Sequence, residues 1–184
     1  MPVWRDINDV QLMAIAQDGD AEAFGELYER YAQTVYRFFS AHLNDRMDAE
    51  DLTEEVFLRV WRTLSNYNEQ GVPLLAYFFR IARNALIDFY RRTSRSGNQM
   101  SLEAQPVIDN RPDPGDAALA RMEHQEIRRM LDQLSEDYRN VLVLRFLSEL
   151  SAGETAHVMG RSEGAVRILQ HRALAALRDL IDLS

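Results

Sequence analysis

The sequence predicts an all-α fold of two small helical modules, and three observations carry that reading. Apolar residues recur at three- and four-residue intervals through most of the chain. No period-two alternation of the kind that marks a strand persists anywhere. Between 96 and 115 the periodicity stops, and Pro106, Pro112 and Pro114, three of the chain's five prolines, stand there with Gly97 and Gly115. That stretch reads as a flexible linker, dividing the chain into modules over 1–95 and 116–184.

The elements follow in order. Asn8 to Gln17 is a short amphipathic helix with Val10, Met13 and Ile15 turned inward. Gly19 and Asp20 break it, and a long helix from Ala21 to about His42 carries Phe24, Leu27, Tyr28, Tyr31, Val35 and Phe38 on one face. Asn44 to Met47 is a turn, and Asp48 caps a helix from Ala49 to about Leu64. The inner face of that helix is Leu52, Val56, Phe57, Val60, Trp61 and Leu64. Its outer face opens with Glu50, Asp51, Glu54 and Glu55, acids that favour a helix N-terminus. Ser65 to Leu75 is a loop broken by Gly71 and Pro73.

Tyr77 to Arg92 follows as a helix with Phe78, Ile81, Ala82, Ala85 and Phe89 on one side. Arg80, Arg83, Asn84, Ile87 and Arg91 lie on the other, flanked by Tyr77, Phe79 and Tyr90. Arginines interleaved with rings suit an unstacked nucleic-acid strand, which needs charge along its backbone and flat faces for its bases. Past the linker, Asp116 opens a helix to about Leu134 with Leu119, Met122, Ile127, Met130 and Leu131 apolar. Ser135 caps the next, Glu136 to Leu147, which buries Tyr138, Val141, Leu142, Leu144 and Leu147.

The last stretch, Ser151 to Arg178, carries the most information. Ser151 with Glu154 forms a capping box, Gly160 supplies a left-handed helix stop, and Ser162 caps a second helix. Val166, Leu169, Ala173 and Leu177 share its inner side; Gly164, Arg167, Ile168, His171 and Arg172 share the outer one. This is a helix-turn-helix whose second helix can enter a major groove.

Composition narrows the function. The 184 residues are 46% hydrophobic and 27% charged, which is globular. With no cysteine, and with His42, His124, His157 and His171 dispersed, neither a disulfide framework nor a metal site is expected. The first residues lack a secretory pattern and no run is long enough to span a membrane, so a cytoplasmic protein is expected. The net charge is −8, yet Leu74–Arg95 holds five arginines against Asp88 alone, and Arg161–Arg178 holds four against Glu163 alone. Two basic helices on an acidic body suit a protein that binds nucleic acid best when something else positions it. All the cations are arginine.

With these residues in view, the chain resembles a bacterial RNA polymerase sigma factor of the compact extracytoplasmic-function type, which keeps only domains two and four. GDAEAFGELYERY (Gly19–Tyr31), DAEDLTEEVFLRVWR (Asp48–Arg62), AYFFRIARNALIDFYRR (Ala76–Arg92) and the whole of Leu131–Arg178 carry the resemblance, in the family's order. It implies that Glu50, Asp51, Glu54, Glu55, Leu58 and Arg59 dock on the clamp helices of the largest polymerase subunit. It implies further that Asn66, Tyr67 and Asn68 capture a flipped base, and that Tyr77, Arg80, Arg83, Asn84 and Arg91 melt and hold the opened strand. In the second module Arg161, Ser162, Gly164, Arg167, Ile168, His171 and Arg172 face the upstream duplex element. The chain departs from the family in having Glu54 where glutamine is frequent and Tyr77 where tryptophan is usual. Core RNA polymerase, promoter DNA and an anti-sigma factor are the implied partners, with signal-regulated transcription initiation the implied role. No cofactor is expected, nor a further C-terminal domain, since only six residues follow Arg178.

Two other classes compete. An autonomous duplex-binding regulator would use the helix-turn-helix but leaves the arginine–aromatic helix and the acidic helix without a task. An enzyme would need a nucleophile–base pair, a glycine-rich phosphate loop or a metal-binding spacing, and none occurs.

Overall fold

The computed structural model describes residues 4–68, 71–96 and 125–182, all helix and connecting turns. Apart from Ser96, the expected linker lies outside the described residues, as do Leu119 and Met122. After a single 3₁₀ turn at Trp4–Asp6, four helices follow: α1 (Asp9–Gln17), α2 (Ala21–Ser40), α3 (Arg46–Thr63) and α4 (Leu74–Ser96). Then come α5 at 125–132, α6 (Glu136–Leu142) with a π turn over Val143–Leu147, α7 (Ala152–Met159) and α8 (Glu163–Asp182).

The starts of the helices are set by side chains. Asn8 and Gln11 form a reciprocal capping box on α1, and Asp20 accepts from the backbone N–H groups of Glu22 and Ala23. Asp45, not Asp48, caps α3, accepting from the Met47 N–H at 2.7 Å. Either aspartate could cap; the one three residues earlier does, which adds Arg46, Met47 and Asp48 to the helix. Likewise α4 begins at Leu74 rather than Tyr77, its first turn closed by the Tyr77 N–H donating to the Pro73 carbonyl. Proline at the entrance is tolerated, having no N–H to satisfy.

Helices α1 to α4 pack in sequence, α1 on α2, α2 on α3, α3 on α4, around an aromatic cluster. Phe38 meets Phe79 edge-on with centroids 5.5 Å apart, and Phe57 meets Phe78 at 5.4 Å. Several expected orientations change. Val10 is exposed while Leu12, Met13 and Ala16 are buried, because α1 docks by the 12–13–16 face. Phe79 is fully buried instead of flanking the basic face. Trp61 is 38% exposed, lying over Phe24 at 4.9 Å at the edge of the core, and Ile127 is exposed on α5.

Beyond the linker α8 packs on α6 and α7. The expected single helix over Glu136–Leu147 is instead α6 followed by the π turn, which brings Val143 and Leu144 into the core together. Glu149 follows with φ 59°, an unusual value for a residue with a side chain.

The two sets of helices also touch. α4 lies against α7, and the end of α2 against the π turn. At that junction sits His42, buried, with Nδ1 donating to the Phe38 carbonyl at 2.8 Å and Nε2 facing the amide of Asn140 at 2.8 Å. Burial lowers the His42 pKa, and Arg139 lowers it further. The Phe38 and Asn140 hydrogen bonds and Asp132 oppose that shift. The amide of Asn140 can turn to serve either protonation state, so desolvation sets the sign. A histidine depressed in the fold binds fewer protons than in the unfolded chain, so its stability contribution is present above the ordinary value of about 6.5 and lost as pH falls through it. The melting temperature of the free protein is therefore expected to fall between pH 7 and pH 5.5, and His42→Gln to flatten that slope. An identical slope in the variant would assign it elsewhere.

Candidate polymerase and nucleic-acid interfaces

On α3, Met47, Asp51, Glu54, Leu58 and Trp61 recur at steps of four, three, four and three residues, so they form one stripe, and all are exposed. Glu50 lies beside it, held to Arg46 by a 2.7 Å ion pair. The stripe is acidic at its centre, Asp51 and Glu54, and apolar at both ends, with Met47 69% and Leu58 54% exposed. An exposed leucine beside an exposed tryptophan on a packed helix suits a protein partner. Sequence reasoning placed Met47 in a turn and Trp61 in the core; the shared spacing with Asp51, Glu54 and Leu58 was the signal that could have found them. Glu55 and Arg59 are tied inward. Arg59 donates to Glu55, lies 3.4 Å from Asp88 of α4, and Arg92 approaches Glu55 at 3.8 Å. Burial works against the charge on Arg59, but Glu55 and Asp88 outweigh it and raise its pKa.

The loop after α3 is built from its neighbours. Gln17 at the end of α1 donates from one amide nitrogen to the carbonyls of Leu64 and Tyr67, both at 2.8 Å. Tyr67 packs against Tyr77 with centroids 4.9 Å apart and the rings tilted by 48°, and donates to the Val72 carbonyl, while the Tyr77 hydroxyl meets Thr63 Oγ1 at 2.7 Å. Two rings are thus fixed at the entrance of α4, with Asn66 and Asn68 exposed next to them. Gln17 and Thr63 were not foreseen, since nothing in their spacing marks a brace 50 residues away along the chain for Gln17 or 14 for Thr63.

Along α4, Arg80, Asn84 and Arg91 are exposed and Arg83 half-buried, and none of these arginines is ion-paired among the described residues. The rings expected among them divide. Phe78 and Phe79 belong to the core; Tyr67, Tyr77 and Tyr90 keep part of their surface. What remains is a cationic helix with a pair of tyrosines at its start, chemistry that fits a single strand.

In the helix-turn-helix, the Ser151–Glu154 capping box, the left-handed Gly160 (φ 64°) and the Ser162 cap on Ala165 are all present. Val166 and Ala173 are fully buried, and Gly164, Arg167, Ile168, His171 and Arg172 are exposed along one side of α8. Arg161 pairs with Asp137 and Arg167 with Glu163, whereas Arg172 makes no ion pair among the described residues. Arg145, from the π turn, braces the helix by donating to Gln170 at 2.9 Å and to the Leu150 carbonyl. It lines the cleft in front of α8 with Gly153, Glu163 and Arg167. No three acidic or histidine side chains cluster as a metal site among the described residues, and no described helix is long and apolar enough to cross a membrane.

The residues that carry these surfaces lie within segments that match known proteins. The family model for Sigma-70 region 2 matches residues 27–96, and that for Sigma-70 region 4 matches 124–177. The chain is 34% identical to the extracytoplasmic-function sigma factor ShbA of Streptomyces griseus, covering 91% of this chain and 92% of ShbA. The chain belongs to the sigma-70 family. Within it, extracytoplasmic-function factors recur: SigX of Bacillus subtilis is 32% identical over 88% of this chain and 85% of its own length. BldN of Streptomyces coelicolor is 34% identical over 94% of this chain, which spans 65% of the BldN length. The solved complex of CnrH with the cytosolic domain of CnrY superposes with a TM-score of 0.72, at 28% identity, over 97% of this chain and 99% of that one. RpoE of Bartonella quintana, in complex with the anti-sigma factor NepR, shares the fold at 20% identity with a TM-score of 0.68. The sigma factor is therefore a non-enzymatic initiation factor that directs transcription by RNA polymerase.

Proposed function

We propose that this sigma factor docks on core RNA polymerase through the α3 stripe, reads the upstream promoter duplex with α8 and takes the melted strand on α4 and residues 66–68. The observation that carries this reading is the separation of three exposed surfaces of different chemistry: acidic and apolar on α3, cationic with tyrosines on α4, cationic around Ile168 on α8. Glu50, Asp51, Glu54 and Leu58 make the docking contact, with Arg59 and Glu55 shaping its edge. Asn66, Tyr67, Asn68, Tyr77, Arg80, Arg83, Asn84 and Arg91 act on the opened strand. Arg161, Ser162, Gly164, Arg167, Ile168, His171 and Arg172 face the duplex, where the exposed Ile168 suits a thymine methyl. The functional modules are 1–95 and 116–184. The protein acts in the cytoplasm, under the control of an anti-sigma factor. The complexes known for CnrH and RpoE support such control.

Charge reversal tests the docking surface. Because Glu55 also holds Arg59 and Arg92, Asp51→Arg with Glu54→Arg is the cleaner pair. Surface changes of this kind shift stability by no more than about 0.5 kcal/mol. Co-purification with core polymerase is expected to fall at least tenfold, about 1.4 kcal/mol, with an unchanged melting temperature. Undiminished binding would remove α3 from the interface.

A further inference from the structure

Gln17, the last residue of α1, is exposed and belongs to none of the three surfaces assigned above. Both of its hydrogen bonds nonetheless reach the turn after α3, 47 and 50 residues away along the chain. We propose that Gln17 is a positioning residue for promoter reading: it holds residues 66–68 in the one shape that discriminates a base of the opened strand. The inference rests on the assignment of residues 66–68 to that strand.

The direction of the carboxamide follows from its partners. The carbonyls of Leu64 and Tyr67 are both acceptors at 2.8 Å, so only the NH2 end can face them, one N–H serving each. The Leu64 carbonyl also accepts from the Tyr67 N–H at 3.1 Å. Gln17 therefore clamps both ends of a single turn. Tyr67 is fixed three times over, through its carbonyl on Gln17, its hydroxyl on the Val72 carbonyl and its ring against Tyr77. Asn66 and Asn68, its neighbours in the chain, are exposed and carry amides that can donate to and accept from a base edge. A loop fixed beforehand loses less freedom on binding, and amides held at one geometry match one base better than another.

The brace has a firm base. Leu12, Met13 and Ala16 bury the inner face of α1. Arg30 of α2 ties its start, donating to the Ile7 carbonyl at 2.9 Å and to Asp9 at 2.7 Å. Gly19, with φ 97°, turns the chain away just beyond Gln17. The first helix thus transmits its position to the turn through one side chain.

The test uses the full chain bound to core polymerase. The probe is a promoter-length duplex with an unpaired bubble of about 10 nucleotides, one strand of it randomised, within the reach of single-strand sites. Retained strands are sequenced, and base preference is scored position by position against core polymerase alone. Three substitutions separate donor from shape. Gln17→Glu keeps the outline but sets an acceptor against two carbonyls, Gln17→Met removes the donor, and Gln17→Lys returns one. Preference is a ratio within one sample, so a loss of folded protein cancels from it.

Glu and Met at position 17 are expected to lower the preference at one bubble position by about fivefold or more, the low end for losing an amide contact to a base. Preferences at the other positions should persist, and Lys should keep the wild-type pattern. Unchanged preference with Glu and Met overturns the proposal, as does loss with all three, which would assign the effect to shape instead of the N–H groups. A uniform decline at every position also overturns it, since that marks a merely structural role. Asn66→Ala with Asn68→Ala tests the reading beneath. If that double variant loses the preference while Gln17→Glu and Gln17→Met keep it, the loop reads a base without the brace. If the double variant keeps it, residues 66–68 read no base, and the assignment itself has failed.

Discussion

Replacing Arg172 by alanine is expected to weaken promoter recruitment of the polymerase-bound factor by about 1–3 kcal/mol, roughly 5- to 150-fold, if the contact is to a base. The loss should be the same on a closed duplex and on a template melted in advance, because α8 acts on duplex. Arg172 is the informative choice among the α8 arginines. Arg161 and Arg167 are held by Asp137 and Glu163 in the free chain, so their removal also disturbs ion pairs within the fold. Arg83→Ala should behave differently. It lies on α4, the helix assigned to the opened strand, so recruitment to closed duplex should persist while opening, followed by permanganate reactivity of thymines, is impaired. A pre-melted bubble restores activity if Arg83 serves opening, and fails to do so if it holds the opened strand. Equal losses of closed-complex formation from both substitutions, with melting untouched, would favour a plain duplex-binding regulator.

Phe79→Ala is expected to destabilise the protein by about 3–5 kcal/mol, the range for deleting a buried phenylalanine ring. For a chain of this size that corresponds to a fall in melting temperature of roughly 6–20 °C. The prediction separates two placements of the same residue. On a strand-binding face, Phe79 would change stability by no more than about 0.5 kcal/mol and act on DNA instead. Fully buried and edge-on to Phe38, it leaves a cavity that neighbouring helices fill only in part. Thermal denaturation of the purified variant decides between them, and a shift under 2 °C would contradict the buried placement.

The helix-turn-helix was legible from Ser151 to Arg178 because each of its determinants is local. A capping box, a left-handed glycine and a 3.6-residue repeat act within one or two turns, and all three hold in the structure. The all-α class followed from the same kind of signal repeated along the chain, and the family from the resemblance of Gly19–Tyr31, Asp48–Arg62, Ala76–Arg92 and Leu131–Arg178 in order. What the sequence misplaced has a common cause. Phe79, Trp61, Val10 and Ile127 are apolar residues whose burial depends on which neighbouring helix arrives and at what angle, and periodicity allows more than one face to turn inward. The start of α3 at Arg46 was a choice between two aspartates, Asp45 and Asp48, that local pattern alone allows as caps. Gln17 bracing the Leu64 and Tyr67 carbonyls, the Arg59–Asp88 tie and the His42–Asn140 bridge all join residues far apart in the chain. Local propensity carries no record of such pairs. The sequence by itself determined which helices form and what chemistry each presents. Only their packing decided which rings are core, which acids are already engaged and that α7 lies against α4, because burial and long-range hydrogen bonding are properties of the assembled helices.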